Sequence, residues 1–118
     1  VATYSKIRTT QFFYEVLIMF FQHTDESFNN PRIICSDGFN ISVQARDGSY
    51  CTRDDNGTLT NVECGFPSTT PKTEALKGYA ELCGTDDYTN TVYGFVPVEV
   101  VQAELDAHGG VAEGCIPL

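Results

Sequence analysis

The strongest constraint on this chain is the stretch Phe39-Asn40-Ile41-Ser42-Val43-Gln44-Ala45-Arg46, which alternates apolar and polar residues without a break. Side chains along a strand point alternately to opposite faces, so this pattern predicts a strand with one buried and one wet face. Asp47-Gly48 follows it, and both residues tolerate positive φ, the signature of a tight hairpin. Arg32–Cys35 supplies an apolar strand before it, with Ser36-Asp37-Gly38 as the turn between. Ser49–Arg53, Thr58–Phe66 and Thr91–Val96 read as further strands, and Asp54-Asp55-Asn56-Gly57 reads as a second turn.

Two helices complete the pattern. Thr70 can cap the first, with Pro71 at the first helical position, where a missing N–H costs nothing. Leu76, Tyr79, Ala80 and Cys83 form its apolar stripe, and Gly84 ends it. Pro97 leads into the second helix, where Val98, Val101 and Leu105 share a face and the acids stay outside. Glu99 in its first turn and His108 in its last complement the helix dipole before Gly109-Gly110 stops it. The tail to Leu118 reads as irregular. The fold class is therefore α+β: an antiparallel meander of four to five strands with two short helices packed on it.

Length and composition fit one such domain over residues 31–118. A chain of 118 residues, 42% hydrophobic and 19% charged, can bury a core without a metal or disulfide. Residues 1–30 stand apart. They hold half of the aromatic residues and neither glycine nor proline. The apolar run Phe12–Phe21 is too short to cross a bilayer, which takes about 20 residues. Lys6 and Arg8 ahead of it suit a signal peptide, but Glu15 interrupts the run and no small-x-small cleavage site follows. The preferred reading is a helix or strand packing on the domain or on a second copy. A start at Met19, leaving the preceding residues outside the natural protein, is the other reading.

Sixteen acids against seven bases give a net charge of −9, and from Gly78 to Leu118 there is no Lys or Arg. Such a surface repels phosphate, which argues against direct binding of nucleic acid or anionic membranes and favours a basic protein partner. The acids singled out for that role are Asp86, Asp87, Glu99, Glu104 and Asp106. Charge of this sign also serves solubility.

Five cysteines, an odd number with no Cys-x-x-Cys pair, read as buried free thiols in a reducing cytosol; secretion with two disulfides and a spare thiol is the alternative. Thr52–Glu63 places Asp54, Asn56, Thr58 and Glu63 at EF-hand ligand positions. Thr52 stands where the first Asp belongs, and Gly65 and Pro67 forbid the following helix. A conformational turn explains the same letters, so no metal is assigned, and no cofactor fingerprint is present. His108-Gly109-Gly110 resembles a lipase oxyanion loop without the nucleophile elbow that would accompany it, so a helix end is the better reading. A Cys–His pair, Cys115 or Cys51 with His108 or His23, is arithmetically open.

The stretches Ser36–Ala45, Gly48–Thr52, Glu63–Ser68, Tyr93–Val101 and His108-Gly109-Gly110 resemble a group of small, uncharacterised proteins encoded by tailed bacteriophages. The resemblance covers about Arg32 to Val111 and carries no activity, cofactor or site. It implies a phage-encoded accessory protein in the host cytoplasm. The sequence thus points to a non-enzymatic interaction protein. The alternative is a small hydrolase or transferase with a site near Cys51, Cys64 and His108.

Overall fold

The computed structural model describes residues 30–117; the aromatic N-terminal segment, apart from Asn30, lies outside the described residues. The elements in chain order are β1 (Ile33–Cys35), β2 (Asn40–Gln44), β3 (Thr52–Arg53), β4 (Leu59–Gly65), α1 (Glu74–Lys77), β5 (Val92–Pro97), α2 (Val98–Ala107) and β6 (Val111–Glu113). This is an antiparallel sheet with two helices, an α+β fold.

β4 is the centre of the sheet. One edge pairs with β5 from Asn61↔Pro97 to Gly65↔Val92. The other edge is shared: β2 takes its C-terminal half, with Val43 opposite Cys64, and β3 its N-terminal half, with Thr52 opposite Asn61. β2 also pairs with β1, and β1 with β6. Alternation places Ile41 and Val43 of β2 and Val62 and Cys64 of β4 in one core, closed by Val101 and Leu105 of α2.

Four expectations need correction. The Asp47-Gly48 turn forms, with Gly48 at φ 92° and Ser49 N donating to Arg46 O at 2.9 Å. It does not join paired strands, however, because the β2 edge that β3 would need is taken by the C-terminal half of β4. β3 is left as two exposed residues. The C-terminal tail is irregular only after Glu113, because Val111–Glu113 forms β6. Gln44, expected on the wet face, is only 8% exposed. Its amide accepts from Asn30 N at 2.7 Å and donates to Asn30 O at 3.0 Å, tying down the incoming chain.

The fourth correction is α1, which is much shorter than the stripe suggested. Its cap is Thr73, whose Oγ1 accepts from Leu76 N, and Gly78 ends it. Beyond Gly78 the outer edge of β5 competes for the backbone and wins. Ala80 bridges to Tyr93, and Glu81 N donates to Val92 O at 2.9 Å. The loop once aligned with calcium ligands is a hairpin turn. Asp54 Oδ1 accepts from Asn56 N and Thr58 N, both at 2.9 Å, and Glu63 sits within β4 opposite Gln44.

β5 contains a bulge. Val62 faces Val96 but Cys64 faces Tyr93, so Gly94 and Phe95 together stand opposite Glu63. Strict alternation would turn Tyr93 and Val96 to opposite faces. The extra residue lets both enter the core and re-aims Phe95 to solvent.

Candidate functional site

The five acids proposed from sequence separate into two groups. Glu99 and Asp106 lie two turns apart on α2 and are exposed. Asp106 accepts from Gln102 Nε2 at 3.0 Å. Asp86 and Asp87 are exposed in the loop before β5. Asp87 is held in a turn by Thr89, whose hydroxyl and N–H donate at 2.7 and 3.0 Å and keep its carboxyl below the usual value.

Glu104 belongs to neither exposed group. It is 1% exposed, and its two oxygens are spent inside the molecule. Oε1 accepts from Thr73 N at 2.9 Å and Thr73 Oγ1 at 2.7 Å; Oε2 accepts from Lys72 N at 2.7 Å. These are donors at the entry to α1 that no intrahelical carbonyl can reach. One turn along α2, His108 Nε2 lies 2.8 Å from Glu104 Oε2, while its Nδ1 lies 2.8 Å from Asp37 Oδ2. Burial alone would raise the Glu104 carboxyl. The bonds from Thr73, Lys72 N and His108 outweigh it and hold the group below its ordinary value.

Asp37 is placed by the β1–β2 turn. Its Oδ1 accepts from Phe39 N at 2.8 Å, the main reason its carboxyl is depressed, with His108 and Lys72 adding to it. Lys72 Nζ stands 3.7 Å from the same carboxylate. Each ring nitrogen of His108 thus faces a carboxylate oxygen, which leaves neither for another partner. The ring is also stacked on Phe39, centroids 3.7 Å apart and planes 6° from parallel. The cluster thereby joins the β1–β2 turn, α2 and the entry to α1. Asp37 and Lys72 are its exposed members, and Thr73 is half-buried.

That arrangement bears on catalysis. A general base needs a free nitrogen within reach of its nucleophile, and neither nitrogen of His108 is free. The amides of Gly109 and Gly110 donate back to Asp106 O and Leu105 O, closing α2 rather than facing a substrate. The five cysteines form no disulfide. Burial pushes Cys35 and Cys115 up to about 12 and raises Cys64 and, less, Cys51, the reverse of activation. Cys83, expected on a buried stripe, is exposed. His23 lies outside the described residues. Among the described residues no group of His, Cys, Asp or Glu is arranged to hold a metal ion. No helix of the described residues is long and apolar enough to cross a membrane.

A second feature went unread in the sequence. Tyr50 and Phe95 are 46% and 50% exposed, and their rings stack with centroids 5.6 Å apart. The bulge holds Phe95 at φ 53°, a left-handed conformation rare for an aromatic residue, and its N–H donates to Tyr50 O at 3.0 Å. Phe66, at φ 51°, is likewise exposed. Beside the ring pair lies Glu81. A β-carbon on Gly94 would stand 2.7 Å from Glu81 Oε2 and 3.3 Å from Tyr50 Cδ2, so carboxylate and ring converge on one glycine.

Comparison with known protein families, curated proteins and solved structures returned no match.

Proposed function

We propose that this chain is a small non-enzymatic interaction protein that binds a basic protein partner. The observation that carries the reading is the distribution of charge. Asp86, Asp87, Glu99 and Asp106 are all exposed, and from Gly78 onward no Lys or Arg offsets them. Such a field steers an oppositely charged partner toward the surface and turns phosphate away. The engagement of both His108 nitrogens and the raised thiols weigh against the hydrolase or transferase alternative. The resemblance to small proteins of tailed bacteriophages supports a phage-encoded accessory factor acting on a host protein in the cytoplasm.

The test is affinity capture from bacterial lysate, run in parallel with a variant carrying Asp86→Asn, Asp87→Asn, Glu99→Gln and Asp106→Asn. The expected result is a basic protein retained by the parent chain, eluted by salt, and lost from the variant. Capture of the same proteins by both chains, with the same salt dependence, would refute the reading.

A further inference from the structure

We infer that the Tyr50–Phe95 ring pair and the carboxylate of Glu81 form the docking point for an arginine on a basic segment of the partner. This rests on the interaction reading and narrows it to one place on the surface.

Two independent features converge there. The first is apolar: two stacked rings, each about half in water, with Phe95 turned outward at the β5 bulge. Aromatic residues of this kind are enriched among the anchors of protein interfaces. The second is electrostatic. The Glu81 carboxylate is exposed and makes no hydrogen bond or ion pair among the described residues, yet it lies against the same glycine as the Tyr50 ring. Arg46 and Arg53, near in sequence, are engaged within the chain; Arg53 Nη1 donates to Gly57 O at 2.9 Å.

Charge decides the occupant. An apolar partner covering the rings would bury Glu81 unpaired, which is costly. A second copy would bring its own net charge of −9 against the first. A nucleic acid would bring phosphate. A guanidinium satisfies both halves of the site: its plane stacks on an aromatic face while its N–H groups pair with a carboxylate. A lysine ammonium offers a point charge without the stacking plane, so arginine is the better match.

The probe is a short peptide of alternating arginine and glycine, with lysine and glutamate counterparts, titrated into the ¹⁵N-labelled chain. Amide shifts are expected at Tyr50, Gly94 and Phe95 with the arginine peptide, weaker with lysine and absent with glutamate. Phe95→Gly keeps the positive φ accessible while removing the ring, and it should weaken binding by about threefold or more. Glu81→Gln, at an exposed position, should do the same and serves if the glycine variant does not fold. Unchanged affinity in the folded variants overturns the assignment. Shifts confined to Asp86, Asp87, Glu99 and Asp106 overturn it while leaving the charge-based function standing. Absence of binding by any cationic peptide removes both. Broadening at Tyr50 and Phe95 that grows with protein concentration assigns the surface to a second copy and overturns the arginine site.

Discussion

Glu104 lies on α2 and His108 caps its C-terminal end one turn later, and between them they connect three separate segments of the chain. Glu104 caps the entry to α1, and His108 carries the link on to Asp37 in the β1–β2 turn, each contact from His108 being 2.8 Å. A buried carboxylate accepting four hydrogen bonds cannot be exchanged cheaply.

Glu104→Ala should therefore destabilise the protein by about 3–5 kcal/mol, since it leaves the Lys72 and Thr73 donors and His108 without their acceptor. Glu104→Gln retains part of the geometry and should cost less. Urea titration with matched m-values checks both. A loss below about 1 kcal/mol for the alanine variant would mean the cluster is solvated.

The same group sets an acid limit. The folded Glu104 carboxyl lies below its ordinary value of 4.5, so the unfolded chain takes up its proton first as pH falls. Its contribution is complete above pH 4.5 and is lost as pH drops through the lower folded value. Asp37 acts in the same direction below 3.8. Thermal melts from pH 7 to pH 2 should show a steep acid branch in the parent chain. Glu104→Gln, already less stable at neutral pH, should show a shallower one; parallel curves would contradict the linkage.

Phe95 should respond to substitution in the opposite sense from a core residue. Relief of the φ of 53° offsets the lost ring contacts, so Phe95→Gly should fall within about 1 kcal/mol of the parent or exceed it. Phe95→Val puts a β-branched residue into the left-handed region and should cost about 1–3 kcal/mol. Equal losses for the two variants in urea would show that backbone conformation is not what matters here.

Thiol labelling at neutral pH should divide the cysteines by burial. Cys83 is exposed and should react at once, and half-buried Cys51 more slowly. Cys35, Cys64 and Cys115 should wait for unfolding. Rapid labelling of Cys64 in the folded protein would revive the nucleophile reading.

Much of the architecture was legible because burial and periodicity agree in β2 as far as Val43, in β4 from Val62 to Cys64 and along α2. The missed parts share a physical cause: side chains or strands satisfied by partners distant in sequence. Val101, Glu104, Leu105 and His108 follow the spacing of one buried helical stripe. Polarity argued that Glu104 points outward, and only the donors near Thr73 reverse that. A Glu–His pair four residues apart on an apolar stripe is the signal that could have located the cluster. The bulge at Gly94–Phe95 left a trace as well. Tyr93 and Val96 cannot both face inward from an unbroken strand. Nothing local shows that both are core residues, and nothing in Tyr50 identifies its partner. The early end of α1 is likewise decided by β5, whose edge claims Ala80 and Glu81.

The cap on α1 has a consequence for the order in which the molecule forms. A helix of four residues cannot nucleate alone, because the first turn fixes several dihedrals for a single hydrogen bond. Here the carboxylate that receives the Lys72 and Thr73 amides is separated from them by 32 and 31 positions, on a helix synthesised later. α1 therefore has to wait for α2 to dock, and its closing entropy is charged to a long loop. Its amide protons should exchange with solvent when that docking opens, at the rate of α2's undocking rather than by fraying of its own ends.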